Sequence, residues 1–90
     1  MKRYLYVVWF RNTDMPPDDQ DYEWPACFLV EALAANDALS WGDQLATDYS
    51  KRRGTEVFLK SYLDVDAEGD LSQLPVVQVG YKASDEEIGW

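Results

Sequence analysis

The chain has 90 residues, of which 47% are hydrophobic and 14% aromatic, and seventeen acids against eight bases give it a formal net charge of −9. This length predicts one domain with a modest core, spanning residues 1–90. The charge disfavours nucleic acids and anionic membranes as partners, because phosphate binding depends largely on basic residues. The N-terminal apolar run is too short for a signal peptide, and no run reaches membrane-spanning length, so a cytoplasmic protein is expected.

The first predicted element is a strand from Tyr4 to Phe10, rich in aromatic and β-branched residues. Both alternating sets of its side chains are apolar: Leu5, Val7 and Trp9 on one side, and Tyr4, Tyr6, Val8 and Phe10 on the other. A strand that is apolar on both sides is typical of the middle of a sheet, where both faces are covered.

An acidic loop, residues 12–25, is predicted to follow, because Pro16 and Pro17 disfavour a strand ladder and its aspartates favour solvent. A second strand is predicted from Ala26 to Leu33. It contains Cys27, the single cysteine of the chain. One cysteine cannot form an internal disulfide, and the apolar run around it predicts a buried, inert thiol.

A helix is predicted from Asn36 to Arg53 and is the organising element of the chain. Its apolar residues fall within one arc of the helical wheel: Ala38, Leu39, Gly42, Leu45, Ala46 and Tyr49. Asn36 is a suitable N-cap, and Gly54 is placed to end the helix. Gly42 within the apolar arc indicates either close packing on a bulky residue such as Trp9 or a ligand groove beside Trp41.

Two further strands are predicted, from Glu56 to Val65 and from Val76 to Lys82. The pattern from Ser84 to Glu87 fits a capping box, which predicts a final helical turn in the tail, residues 84–90. The predicted fold is therefore α+β with the order ββαββ. A right-handed crossover through the helix favours a four-stranded antiparallel sheet in the order 2-1-3-4, with the helix on one face.

One helix covers only one face of such a sheet, so the other face is expected to be uncovered. The side chains predicted to lie there, and to form a protein interface, are Tyr4, Tyr6, Phe58, Lys60 and Tyr62. The alternative is that the acidic loop or the tail ending in Ile88 and Trp90 folds over this face.

Two acidic patterns are candidates for cation binding. Four acids, Asp64, Asp66, Glu68 and Asp70, have the spacing of the first positions of a calcium loop, but Pro75 stands where a closing glutamate belongs. The second cluster is Asp18, Asp19, Asp21 and Glu23. Solvated loops are the favoured interpretation of both, and no cofactor is expected.

Catalysis has little support in the sequence, because the chain has no histidine and neither a nucleophile elbow nor a phosphate loop. Glu31, inside an apolar strand, is a candidate acid–base group if burial raises its pKa, but an edge-facing or lysine-paired carboxylate is the favoured interpretation. The favoured hypothesis is a non-catalytic protein–protein interaction domain, forming a homodimer through the aromatic sheet face or binding a basic partner through acidic loops. A small-ligand or cation-binding domain, and a carboxylate-dependent enzyme, are the alternatives.

Overall fold

The computed structural model describes residues 1–65 and 71–90. Its elements in chain order are β1 (Lys2–Asn12), β2 (Glu23–Ala32), α1 (Ala35–Arg53), β3 (Glu56–Leu63), β4 (Val76–Gln78) and the short α2 (Asp85–Ile88). The order ββαββ, the final helical turn and the α+β class with one main helix are confirmed. Within the described residues, neither helix has the length and apolarity needed to cross a membrane.

The four strands form one mixed sheet in the order β3-β1-β2-β4. Strand β1 lies between β2 and β3 and is antiparallel to both, as predicted, so β2 and β3 run in the same direction. The predicted place of the last strand is wrong: β4 pairs in parallel with β2, with Leu29 opposite Val76, instead of pairing with β3. This placement buries Val77 beside Val30 in the core. Strands β3 and β4 thus form the two edges of the sheet.

The loop between β1 and β2 is shorter than predicted, because both strands extend further and β2 includes Pro25. Pro25 lies opposite Trp9, whereas β4 begins only at the level of Leu29. The outer side of β2 therefore has no strand neighbour at Pro25, and an edge position tolerates a residue without an N–H group.

Helix α1 packs on the sheet with the predicted side, since its buried residues Ala38, Gly42, Leu45, Ala46 and Tyr49 all belong to the predicted apolar arc. Gly54 ends the helix in the left-handed conformation, with φ of 70°. The predicted N-cap is wrong. The helix starts one residue earlier, and Ala34, which has no polar side chain, occupies the cap position.

The core lies between α1 and the sheet, and its largest fully buried side chains are Tyr6, Val8, Phe10, Phe28 and Val30. The C-terminal tail joins the same core. The Trp90 ring lies 4.7 Å from the ring of Tyr49 and 5.5 Å from that of Phe28. The predicted capping box of Ser84 and Glu87 is present and starts α2. The tail therefore packs on the helix side of the sheet, and the alternative that it covers the other face is wrong.

Candidate protein-interaction surface

We call the side of the sheet opposite α1 the open face. Tyr6, Val8 and Phe10 are fully buried in the core beneath α1, so the alternate residues of β1 point to the open face. The strand register places the following apolar side chains there: Leu5, Val7 and Trp9 of β1, Pro25, Cys27 and Leu29 of β2, Val57 and Tyr62 of β3, and Val76 of β4.

The structure separates the five residues predicted to share the uncovered face. Lys60 and Tyr62 lie on the open face, opposite Trp9 and Val7 of β1. The placement of the other three is wrong: Tyr6 is fully buried under α1, and Tyr4 and Phe58 pack against the same core. Strand β1 is apolar on both sides, so its sequence does not reveal which side the helix covers.

A bulge in β3 explains why Phe58 and Lys60 point to opposite faces. Lys60 pairs with Trp9 and Phe58 pairs with Phe10, so Leu59 is an extra residue between two consecutive positions of β1. One extra residue reverses the alternation of side chains along the rest of the strand. Sequence alternation alone could not reveal this, because it assumes an unbroken ladder.

The half of the open face toward Arg11 is apolar and accessible. Tyr62 is 43% exposed and Val57 41% exposed. The ammonium group of Lys60 lies 5.7 Å from the centre of the Trp9 ring, within the range of a cation–π contact. Cys27 is also exposed, so the predicted buried thiol is wrong. Alternation in β2 explains this, since Phe28 takes the buried side and Cys27 the opposite one.

The charged residues that β1 and β2 place on the open face pair with each other across the two strands. Arg11 Nη2 lies 3.0 Å from the Glu23 carboxylate, and Arg3 Nε lies 2.9 Å from that of Glu31. The hydrogen bond from Arg3, followed by one from Gln78, lowers the pKa of Glu31. The raised pKa considered for Glu31 as an acid–base group is therefore wrong, because the carboxylate is held in its charged form.

The other half of the open face adjoins the chain that follows β3. Leu71 lines a surface pocket together with Leu5, Leu63 and Val65. Asp64, the first acid of the predicted calcium loop, donates its backbone N–H to the carbonyl of Leu5 at 2.9 Å. The remaining acids of that loop, Asp66, Glu68 and Asp70, lie outside the described residues. Within residues 1–65 and 71–90, no group of three or more potential ligands could hold a metal ion.

Beneath α1 there is one polar cluster, formed by Tyr6, Asp43 and Ser61. The Tyr6 hydroxyl donates to Asp43 Oδ1 at 2.7 Å, and the Ser61 hydroxyl donates to the same oxygen. Burial, assisted by the bond to the negative Asp43, raises the pKa of Tyr6 far above its ordinary value of 10.0. Each of the three groups has a partner, so the cluster ties α1 to β1 and β3.

This cluster predicts a loss of stability at alkaline pH. Because the pKa of Tyr6 is raised in the folded state, its contribution is complete below pH 10 and is lost as the pH rises, since only the unfolded chain then releases the proton. We expect the free energy of unfolding to fall by up to about 1.4 kcal/mol per pH unit from this group. Urea titrations at several alkaline pH values measure the slope. Tyr6→Phe should have a shallower slope, and an unchanged slope would contradict the assignment.

The groove predicted beside Trp41 is occupied by the protein itself. Gly42 packs on the ring of Tyr6, not on Trp9, because the alternate side of β1 faces the helix. The indole Nε1 of Trp41 donates to the carbonyl of Tyr81 at 3.1 Å. The close-packing interpretation of Gly42 is therefore correct, with Tyr6 as the bulky residue.

Comparison with known proteins does not place the chain in a family. No family model, no curated protein and no solved structure matches it. The function is therefore inferred from the surface alone. The open face offers apolar and aromatic contact area with paired charges at its margins, which suits binding to another protein surface.

Proposed function

We propose that the protein acts without catalysis, as a protein–protein interaction domain that binds through its open face. One observation supports this proposal: Tyr62, Val57 and Cys27 remain exposed on the open face, while α1 and the tail both pack on the other side. Exposed apolar patches on a small protein commonly mark interaction sites. Tyrosine suits such a surface because it offers a large contact area and a hydrogen-bonding tip.

The two edges of the sheet are less suited to binding than its face. The outer edge of β3 carries the bulge at Leu59 and the charged Lys60, both of which hinder pairing with another strand. The other edge, β4, has only three residues. The edges therefore resist strand addition, and the open face is the better candidate.

Capture of a basic partner through the acidic loops stays a prediction, as do the ligand-binding and enzymatic alternatives. Asp18 and Asp21 in the loop after β1 are exposed, and residues there bond mainly to one another, for example the N–H of Asp21 to Asp19. Salt distinguishes the two modes of binding. Attraction between exposed charges weakens strongly with ionic strength, whereas apolar contact on the open face does not.

Cys27 provides a direct test, because it is the only cysteine and is exposed on the open face. If this face is occupied in the native environment, Cys27 should react more slowly with a maleimide in a concentrated extract of the source cells than in dilute purified protein. We expect a difference of about tenfold or more, because a residue buried in an interface core is shielded from solvent. Mass spectrometry of the labelled chain measures both rates.

The matched control is the double variant Cys27→Ser, Ser40→Cys, which moves the thiol to an exposed position of α1 on the other side of the molecule. This thiol should react equally fast in both settings. If Cys27 reacted in the extract and in the purified protein at the same fast rate as the control thiol, the open face would be unoccupied and the proposal would fail.

A further inference from the structure

We propose that the partner of the open face is a second copy of this chain, so that two sheets pack face to face about a two-fold axis. This inference rests on the proposed function, since it names the partner of the same surface. Its support is the distribution of charge on β1 and β2.

On the open face, β1 carries only cations and β2 carries only acids. Arg11 of β1 stands beside Glu23 of β2, and Arg3 stands beside Glu31, each pair in register across the ladder. Between these pairs the side chains on this face are uncharged, and at the centre the buried Val7 lies opposite the exposed Cys27. The open face is therefore basic along β1 and acidic at the paired positions of β2.

The two-fold axis lies above the open face, over the gap between β1 and β2 and parallel to both strands. A half-turn about it places the partner's β1 over β2, and the partner's β2 over β1, at the same heights. Arg11 of one copy then faces the partner's Glu23, and Glu23 faces the partner's Arg11. Sheets that pack in this aligned way lie about 10 Å apart, with their side chains interdigitating. The contact between the two sheets is centred toward the Arg11 end of the face. At the other end, Leu71 lines the same surface pocket as Leu5 and takes up part of the face. The same rotation brings Trp9 and Cys27 into the apolar middle.

The distribution of charge over the whole chain also favours self-association through the open face. The strand residues of the open face include three cations, Arg3, Arg11 and Lys60, and only two acids, whereas the whole chain carries −9. Exposed acids such as Asp37 and Glu86 belong to α1 and α2, on the opposite side of the sheet. Face-to-face packing keeps these acids apart, beyond the screening length of about 8 Å at physiological salt.

Charge reversal tests the proposed pairing. In a dimer of the Arg11→Glu variant, the new glutamate of each copy would face Glu23 of the other. In a dimer of the Glu23→Arg variant, the new arginine of each copy would face Arg11 of the other. Each variant should therefore raise the dimer dissociation constant at least about tenfold. An equimolar mixture of the two variants should dimerise again, because every position then meets the opposite charge. Sedimentation velocity between about 1 µM and about 1 mM, a range that brackets weak to moderate affinities, measures the mass.

Lys51→Glu is the matched control for Arg11→Glu, because it makes the same change of charge at an exposed position of α1 and should leave dimerisation unchanged. The two single variants should still fold, since an exposed ion pair contributes little to stability, and circular dichroism verifies this. A monomeric wild type, a single variant that dimerises like wild type, or a mixture that stays monomeric would each overturn the homodimer. If the wild type is monomeric but Cys27 is shielded in the extract, only the homodimer fails. If Cys27 also reacts freely in the extract, the proposed function fails with it.

Discussion

Trp90→Ala should lower the free energy of unfolding by about 3 kcal/mol, the lower end of the cost of removing a buried aromatic ring, because Trp90 is partly exposed. The ring contacts those of Phe10, Phe28 and Tyr49, with centroids 5.7, 5.5 and 4.7 Å away. Its Nε1 also donates to Asp85 at 3.0 Å, and Arg52 pairs with the same carboxylate. Removal of the side chain would leave a cavity at the end of the core.

Urea denaturation followed by circular dichroism measures this change. For a domain whose total stability is about 5–15 kcal/mol, the loss is a large fraction, and the melting temperature should fall by more than about 10 °C. The control is Tyr81→Ala, which removes another aromatic ring near the tail. Tyr81 is 52% exposed and its hydroxyl bonds only to Glu87 in the described structure, so its loss should cost less than about 1 kcal/mol. If both variants lost equally little, the tail would not be part of the core.

Substitution of Gly42 should destabilise the protein even though it improves helix propensity. Alanine is favoured over glycine inside a helix by about 1 kcal/mol. At position 42, however, a Cβ would lie 2.7 Å from Cγ of Tyr6 and closer still to the edge of that ring. Tyr6 is fully buried and is tied to Asp43, so the ring has little room to move. We expect Gly42→Ala to lose a net of about 1–2 kcal/mol, and Gly42→Leu about 3 kcal/mol or more.

A double-mutant cycle distinguishes this clash from a general effect on the helix. In a Tyr6→Leu background the ring is removed, so Gly42→Ala should become neutral or stabilising. Urea denaturation of the four proteins gives the coupling free energy. A Gly42→Ala variant that is more stable than the wild type would show that the backbone of α1 does not need to approach Tyr6 this closely.

Local sequence patterns predicted the helices and strands well, because each element depends mainly on residues that are close together in the chain. The apolar arc of α1, its end at Gly54 and the capping box of Ser84 depend on residues within a few positions of each other. The central place of β1 also followed from the sequence, since a strand with two apolar sides is best buried inside a sheet. These predictions needed no knowledge of distant contacts.

The composition of the open face could not be predicted in the same way. Three of the five predicted open-face residues were assigned to the wrong side, because either side of β1 could have faced the helix and because the bulge at Leu59 breaks the alternation of β3. The pairing of Arg11 with Glu23 likewise depends on the register between β1 and β2, which a separate reading of each strand does not give.

The sequence by itself determined that the chain has one large helix, a central strand that is apolar on both sides and a net charge of −9. The tertiary structure decided which side of that strand the helix covers, which edge β4 joins and where Trp90 packs. The physical reason is that Tyr6 can meet Gly42 closely, and Trp90 can fill the space among Phe10, Phe28 and Tyr49, only when segments far apart in the chain are assembled.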